Sequence, residues 1–222
     1  MEDLTLIIPA KNEKESLPKV LNELKKYDLK IIIVLEKEDL DTINSIKEYN
    51  YEILYQINQG YGDAILQGIK NVKTNFFCIF NADGSFNPIE LKNMYDHATK
   101  GNADFIFGSR YMDGALSEDD TMITFIGNKI FTFIGKIFFS LPISDILYTF
   151  VLGNTQKANA LQLKERNFAL CVELPIIAKK SKYKLISVPS HERLRIAGKK
   201  KVNAFKDGLL ILLSMIKLFL KI

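Results

Sequence analysis

Carboxylate and amide side chains follow apolar segments at several points of the sequence, where they could bind a cation. Asn81 and Asp83 come directly after the apolar run 77–80, and Glu36 follows the run 30–35. Acids gathered at one place would repel an anionic ligand unless a divalent cation lay between them. Such oxygen ligands suit Mg²⁺ or Mn²⁺, and these ions bind diphosphates. The residue types therefore indicate a metal-assisted diphosphate site, provided that the fold brings these segments together.

The segments around these residues alternate in a way that is typical of an α/β sheet. Short apolar runs are separated by polar segments of helical spacing, which favours a mostly parallel sheet with helices on both faces. The expected strands are 3–8, 30–35, 51–56, 75–80 and 103–107. In such sheets ligands bind beyond the carboxyl ends of the strands. We therefore expect Glu13, Glu36 and Asp83 at one edge of the sheet.

The segment 81–84 also has a purely local explanation. Asp-Gly is common turn chemistry after a strand, and Pro88 is suited to open the next helix. From residue types alone, a turn and a metal site are equally good interpretations of Asp83.

Charge is distributed unevenly along the chain. Residues 178–222 contain 12 Lys and Arg against two acids and carry +10, whereas residues 1–177 carry −6. A basic tail favours an anionic partner, either nucleic acid or a membrane surface. The sequence contains no recognisable nucleic-acid-binding motif and no aromatic stacking array, so we expect no nucleic-acid partner.

Two features bear on the cellular compartment. Cys78 and Cys171 both lie in apolar sequence, and we expect them to be reduced core residues rather than disulfide or metal ligands. The apolar segment 4–8 is short and is followed by Lys11 and Glu13, which is not the pattern of a signal peptide. We therefore expect a cytoplasmic protein.

Five segments, read in order, resemble the family-2 inverting glycosyltransferases. They are LIIPAKNEKESLPKVLNEL at 6–24, NQGYGDAILQGI at 58–69, FNADGSFNPIEL at 80–91, GSRYMDGA at 108–115 and VPSHERLRIAGKKKV at 188–202. The similarity is strongest to the branch of dolichyl-phosphate mannose synthases and polyprenyl-phosphate glycosyltransferases. The resemblance implies a GT-A type nucleotide-diphospho-sugar-binding fold in residues 1–202. It also implies inverting transfer of a hexose from a GDP- or UDP-sugar to a polyprenyl phosphate.

The resemblance assigns a set of residues to the donor nucleotide. They are Pro9, Lys11, Glu13, Glu36, Gly60, Gly62, Asn81 and Asp83. Gly60 and Gly62 match a glycine turn in which absent side chains would let the backbone approach the ligand. Asp83 matches the last acid of the family's D-x-D motif and is the expected ligand of Mg²⁺ or Mn²⁺. Asn81 replaces the first acid of that motif and offers an amide oxygen without a charge.

The resemblance also implies the groups that act on the acceptor. The expected catalytic residues are Asp83, Arg110, Arg195 and Lys201. The three cations would hold the acceptor phosphate, and Asp83 with its metal would neutralise the departing diphosphate. Asn128 and Asp145 match positions that line the acceptor side. Because a lipid phosphate is already an anionic nucleophile, orientation and charge screening would matter more than a general base.

The segment 203–222 is expected to form a separate C-terminal apolar helix. No run reaches the roughly 20 consecutive apolar residues of a spanning helix, because Lys129 interrupts 122–143 and Lys217 interrupts 208–220. Lysines precede the C-terminal segment, as in helices that lie at a membrane interface. We expect peripheral attachment to the cytoplasmic face of the membrane. Packing of this helix on the sheet or on a second copy is the alternative.

Two other functions are compatible with the sequence. The first is a family-2 transferase that extends a surface polysaccharide or another glycan on a hydroxyl acceptor, for which Asp145 is a loose candidate base. The second is a catalytically silent nucleotide-sugar-binding protein. Its support is that Asn81 replaces an acid and that Glu36 stands alone where the family has paired acids.

Overall fold

The structure is a computed structural model that describes residues 1–198 and 203–220. The described chain forms a seven-stranded sheet and a separate two-stranded ribbon of β6 and β9. The strands are β1 (Leu4–Ala10), β2 (Lys30–Leu35), β3 (Glu52–Tyr55), β4 (Phe76–Ile79), β5 (Phe105–Ser109), β6 (Leu116–Ser117), β7 (Val151–Asn154), β8 (Leu185–Pro189) and β9 (His191–Glu192).

The central sheet has the strand order β3-β2-β1-β4-β7-β5-β8. Its neighbouring strands run parallel except where β7 lies antiparallel between β4 and β5. The prediction of a mostly parallel sheet is therefore confirmed. The predicted strand 30–35 coincides with β2, and the other four predicted strands overlap β1, β3, β4 and β5 with ends that shift by one or two residues. Strands β6 to β9 were not predicted: β6 and β9 have two residues each, and β7 and β8 are short and contain Gly, Asn, Ser or Pro.

Helices cover both faces of the sheet, as predicted. They are α1 (Leu17–Leu24), α2 (Leu40–Ser45), α3 (Tyr61–Asn71), α4 (Leu91–Thr99), α5 (Met122–Phe139), α6 (Thr155–Ala160), α7 (Leu170–Lys180) and α8 (Ala204–Leu220). Successive side chains of a strand point to opposite faces, so Leu6 and Ile8 of β1 join one core and Ile7 joins the other. The first core contains Leu21 of α1, and the second contains Ile65 of α3.

The two long apolar helices α5 and α8 pack on each other and on α7. Helix α8 buries Ile211, Ser214 and Met215, so it forms part of the second core. Many other apolar side chains of the two helices remain exposed, and together they are called here the α5–α8 surface. They are Met122, Ile123, Phe125, Ile126, Ile130, Phe133, Ile137 and Phe138 of α5, and Phe205, Leu209, Leu210, Leu212, Leu213, Ile216, Phe219 and Leu220 of α8.

Helix α5 differs from the sequence-based expectation. Among the described residues it is the one helix that could cross a membrane by length and composition, although polar residues interrupt its sequence. It buries Asn128, Thr132 and Gly135 against the rest of the protein. The predicted C-terminal helix 203–222 corresponds to α8, and the proposed domain division at residue 202 stays a prediction.

The antiparallel strand β7 fits between two aromatic neighbours only because it contains glycine. A Cβ on Gly153 would lie 2.6 Å from Cδ1 of Phe105 and 2.8 Å from Cε1 of Phe77. We expect Gly153→Ala to lower the free energy of unfolding by about 1–3 kcal/mol through overpacking, measured by urea denaturation. The matched control is Gly127→Ala in α5, where a Cβ meets no atom within 4 Å. It should be neutral or slightly stabilising, and equal losses in both variants would contradict this assignment.

Candidate active site

A cavity of about 530 Å³ opens beyond the carboxyl ends of β1, β2 and β4. Ten of the site residues predicted from the sequence line it, namely Pro9, Lys11, Glu13, Glu36, Gly60, Asn81, Asp83, Arg110, Asn128 and Arg195. Gly62 and Asp145 do not line the cavity, and Lys201 lies outside the described residues. The fold thus brings most of the predicted residues together, whereas their individual roles stay predictions.

The loops after β1 and β2 bind each other at one wall of the cavity. Lys11 Nζ lies 2.8 Å from Glu36 Oε1. The backbone N–H of Asn12 donates to Asp39 Oδ2 at 2.6 Å, and Asn12 adopts a left-handed φ of 53° that Asn tolerates. These bonds fix the two loops relative to each other. A ligand at this wall therefore meets an ion pair rather than a pair of carboxylates.

Asp83 is held in place from two sides. Its Oδ1 accepts hydrogen bonds from the backbone N–H of Ser85 at 3.0 Å and from the Ser85 hydroxyl at 2.7 Å. Its Oδ2 lies 3.5 Å from Nη1 of Arg195, whose Nη2 donates to Asp119 at 2.7 Å. Burial opposes the charge of Arg195, but Asp119 and Asp83 outweigh it and raise the pKa of the guanidinium. One arginine therefore contacts two cavity carboxylates and compensates the charge of only one of them.

The chain that carries Arg195 is fixed directly over the turn that contains Asp83. The N–H of Ile196 donates to the carbonyl of Asp83, and the N–H of Arg193 donates to the carbonyl of Ser85, both at 2.8 Å. Gly84 adopts a φ of 83°, and a Cβ there would lie 2.5 Å from Cδ1 of Ile196. The left-handed backbone conformation thus favours glycine in the Asp-Gly turn, and an added side chain would also have to displace the end of Ile196.

Arg110 forms a buried ion cluster with two acids. Its Nε and Nη2 donate to the two carboxylate oxygens of Asp145 at 2.8 and 3.0 Å, and its Nη1 donates to Glu192 at 3.2 Å. The arginine side chain is only 11% exposed. Burial opposes its charge, but Asp145 and Glu192 outweigh it and raise the pKa of the guanidinium. Its predicted role as a ligand of the acceptor phosphate stays a prediction, and its strongest observed contacts are internal.

Asp145 and Asn128 were predicted on the acceptor side, and the structure links both to Arg110. Asp145 is fully buried and accepts from Asn128 Nδ2. The amide oxygen of Asn128 accepts from the Thr132 hydroxyl and from the Leu147 N–H, each at 3.3 Å. Because Asp145 faces Arg110 and lies outside the cavity wall, it is not placed to act as a base on an acceptor hydroxyl. Its assignment to the acceptor side stays a prediction.

Gly60 and Gly62, at the start of α3, are needed for a backbone contact that the sequence did not predict. A Cβ on Gly60 would lie 2.1 Å from the carbonyl oxygen of Arg166, and one on Gly62 would lie 2.5 Å from that of Glu165. Gly60 also has a φ of 121°. Both glycines therefore allow close approach of the loop 165–167, and their predicted contact with the nucleotide stays a prediction. Gly60 additionally lines the cavity, whereas Gly62 does not.

The donor set near Asp83 fits a cation that a substrate would help to bind. In residues 1–198 and 203–220, no group of three or more His, Cys, Asp or Glu side chains could hold a metal ion. Within the segment 81–83, Asp83 supplies the one carboxylate. Mg²⁺ is commonly held by one or two carboxylates together with substrate phosphates, and this set matches that arrangement.

Several cavity residues were not identified from the sequence. They are Gln56, Tyr61, Asp119, Asp120, Thr124, Tyr148, Thr149, Phe168, Cys171, Glu192 and Ile211, among others. Asp119 and Asp120 form an acidic pair before a long apolar segment. This pair was the sequence feature that could have indicated a site there. Asp120 accepts hydrogen bonds from the Tyr111 hydroxyl and from the Thr121 N–H. Burial opposes the charge of Asp120, but hydrogen bonds led by that from Thr124 outweigh it and lower the pKa of its carboxyl.

Comparison with known sequences identifies related proteins. A family model described as "Glycosyl transferase family 2" matches residues 5–161. An uncharacterised glycosyltransferase of Mycobacterium tuberculosis is 24% identical over 208 residues, which cover 94% of this chain and 93% of the relative. A UDP-N-acetylglucosamine–dolichyl-phosphate N-acetylglucosaminyltransferase of Methanococcus voltae is 25% identical over 209 residues, which cover 83% of each chain.

Comparison with solved structures confirms the fold. Glucosyl-3-phosphoglycerate synthase of Mycobacterium tuberculosis, crystallised with Mn²⁺, UDP and glucosyl-3-phosphoglycerate, superimposes with a TM-score of 0.77 at 9% identity. The match covers 98% of this chain and 80% of that structure. The same enzyme has been crystallised with Mn²⁺ and UDP-glucose, and that structure gives a TM-score of 0.76. The predicted GT-A type α/β fold is therefore confirmed.

Loss of Arg110 should destabilise the protein much more than loss of an exposed arginine. Arg110→Ala would leave Asp145 and Glu192 buried without their cation, so we expect the free energy of unfolding to fall by about 3–5 kcal/mol. The matched control is Arg166→Ala, because the Arg166 side chain is 60% exposed and lies 3.8 Å from Asp63. That variant should change stability by less than about 0.5 kcal/mol. Urea denaturation measures both, and a loss below about 1 kcal/mol for Arg110→Ala would contradict the assignment.

Proposed function

Because the chain belongs to glycosyl transferase family 2, we propose that this glycosyltransferase transfers a hexose from a GDP- or UDP-sugar to a polyprenyl phosphate. Transfer would take place with inversion, at the cytoplasmic face of the membrane. The proposal is supported by the dolichyl-phosphate acceptor named for the relative from Methanococcus voltae. For the donor, it is supported by the UDP-glucose bound in a structural neighbour.

The position of the α5–α8 surface carries the proposal for a lipid acceptor. Thr124 and Asn128 of α5 and Ile211 of α8 line the cavity. On their other sides, the same two helices expose Phe, Ile, Leu and Met side chains. Contiguous exposed apolar surface of this kind marks a protein or membrane contact. A lipid whose phosphate enters the cavity could therefore keep its hydrocarbon chain in the bilayer beside α5 and α8.

The chemistry that we propose requires little more than positioning and charge compensation. The acceptor phosphate oxygen attacks the anomeric carbon, the bond from that carbon to the nucleoside diphosphate breaks, and the diphosphate leaves with the electron pair. Asp83 would hold Mg²⁺ or Mn²⁺, which would supply positive charge to the leaving diphosphate. Arg195 would hold the acceptor phosphate near the donor, and its place in the cavity wall between Asp83 and Asp119 supports this role. The resemblance assigns the same role to Lys201, which lies outside the described residues.

A second acceptor class is favoured by one observation. Asp119 and Asp120 both line the cavity, and a hydroxyl acceptor needs a carboxylate base that accepts its proton. Asp119 is bound to Arg195, and hydrogen bonds lower the pKa of Asp120. A carboxylate of lowered pKa is a weak base at neutral pH, so transfer to a glycan hydroxyl is the second candidate rather than the first.

Radiolabel transfer tests the proposed acceptor and donor together. Labelled GDP- and UDP-hexoses are incubated with polyprenyl phosphate and Mg²⁺ or Mn²⁺, and the lipid is extracted. We expect label in the organic phase, reduced about 10²–10³-fold by Asp83→Asn because the leaving diphosphate loses its charge compensation. The control Asp41→Asn changes an exposed acid that is paired with Lys14, and it should keep full activity.

Two outcomes would contradict the lipid proposal. Label that appears in water-soluble products, only when oligosaccharides are supplied, would assign the second acceptor class. Nucleotide binding without any transfer to lipid or glycan would identify a catalytically silent binding protein.

Attachment to membranes is tested separately on the α5–α8 surface. We expect the protein to float with vesicles of phosphatidylcholine and phosphatidylglycerol, since apolar side chains and exposed Lys129, Lys136, Lys206 and Lys217 suit an anionic interface. Phe133→Glu with Ile137→Glu should reduce binding about tenfold or more. The control Ile57→Glu changes an 84% exposed residue of another loop and should bind normally. Wild-type protein that stays unbound, or equal losses in both variants, would contradict peripheral attachment.

A further inference from the structure

Asn81 stands where the related D-x-D motif has an acid, and the structure gives its amide a defined orientation. It lies two residues beyond the end of β4 and lines the cavity beside Asp83. Its amide oxygen is 3.1 Å from the hydroxyl of Tyr61, which donates a hydrogen bond to it. One of the two lone pairs of this oxygen is therefore already used by a side chain of α3.

Tyr61 is itself held firmly in the cavity wall. Its ring stacks on Phe168 with a centroid separation of 4.8 Å and an interplanar angle of 16°. Its hydroxyl lies 2.8 Å from Oγ1 of Thr149. Burial raises the pKa of Tyr61 well above its ordinary value, so the hydroxyl keeps its proton. A phenol has one proton to donate, so a chain forms in which Thr149 donates to Tyr61 and Tyr61 donates to Asn81.

Because this series of hydrogen bonds uses the amide oxygen of Asn81, the amide nitrogen remains available to a ligand in the cavity. Within residues 1–198 and 203–220, Tyr61 is the hydrogen-bond partner of the Asn81 side chain, and it bonds to the oxygen. An amide NH₂ carries two donors and no lone pair for a metal. Asn81 therefore presents hydrogen-bond donors next to Asp83, where an aspartate would present negative charge.

We propose that Asn81 donates a hydrogen bond to an oxygen of the diphospho-sugar donor, and that Tyr61 is the positioning residue that fixes this orientation. The inference rests on the proposed function only for the class of donor. Two consequences follow from the charges. The site binds the nucleotide partly through a neutral donor group. Because the segment 81–83 carries one acid, Asp83, nucleotide affinity depends less on the metal concentration than it would with two acids in this segment.

A double-mutant cycle tests whether Tyr61 acts through Asn81. UDP and GDP are titrated into wild type, Tyr61→Phe, Asn81→Ala and the double variant at a fixed Mn²⁺ concentration, with calorimetry as the readout. Tyr61→Phe keeps the ring that stacks on Phe168 and should raise the Kd about three- to tenfold. In the Asn81→Ala background the same change should have no further effect. The control Tyr49→Phe removes a hydroxyl that bonds to the Pro18 carbonyl, outside the cavity wall, and should leave the Kd unchanged.

The substitution Asn81→Asp tests the charge argument and does not depend on Tyr61→Phe folding correctly. The new carboxylate can accept from Tyr61 with one oxygen and face the phosphates with the other. We expect the nucleotide Kd in EDTA to rise about tenfold or more, and added Mn²⁺ to restore it, so that metal dependence becomes steeper. Thermal unfolding of each variant establishes that it is folded.

The outcomes separate this inference from the proposed function. Equal effects of Tyr61→Phe in both backgrounds, or an unchanged metal dependence in Asn81→Asp, would overturn the role given to Asn81 and Tyr61. Failure of the wild type to bind UDP or GDP at any Mn²⁺ concentration would overturn the nucleotide-sugar donor and this inference with it. If the double-mutant cycle gives the expected nucleotide affinities but no lipid product forms, the inference stands and only the proposed acceptor is refuted.

Discussion

The cavity wall depends on charge compensation at the carboxyl edge of the sheet, where acidic side chains must be paired with cations. Parallel strands deliver several acids to one place, and the described cavity wall contains Glu13, Glu36, Asp83, Asp119, Asp120 and Glu192 against Lys11, Arg110 and Arg195. Each of these three cations already contacts an acid. An anionic diphosphate therefore needs additional positive charge at this edge, which is the physical argument for a divalent cation beside Asp83.

The same compensation connects segments that are distant in the sequence. Strand β6 pairs with β9, placing Leu116 opposite His191 and Ser117 opposite Glu192. Arg110, directly after β5, contacts Glu192 of β9. Arg195, shortly after β9, contacts Asp83 and also Asp119 in the loop before α5. Because α5 continues from that loop, the donor side of the cavity and the α5–α8 surface belong to one connected structure. Under the proposed function, α5 would face the lipid, and the acceptor phosphate would reach a sugar held at the sheet edge.

The sequence predicts what depends on short-range patterns. Strand β2, the parallel sheet and the meeting of Glu36 and Asp83 at one edge follow from apolar runs and from the geometry of parallel strands. Contacts between distant segments were not predictable in this way: Arg110 meets Asp145 and Glu192, which lie 35 and 82 residues further along the chain. The Tyr61 hydroxyl bond to Asn81 spans 20 residues and depends on the close packing of α3 on the sheet.

The most direct measurement is ³¹P NMR of the acceptor, which detects the new bond between the sugar and the lipid phosphate. Polyprenyl phosphate is incubated with the enzyme, Mn²⁺ is removed by chelation before the spectrum is recorded, and the phosphorus resonances are compared with and without the sugar donor. We predict that the phosphomonoester resonance is replaced by that of a phosphodiester while free nucleoside diphosphate appears in equal amount. A monoester resonance that persists while the donor is consumed would contradict transfer to the lipid phosphate, and release of nucleoside monophosphate would contradict glycosyl transfer.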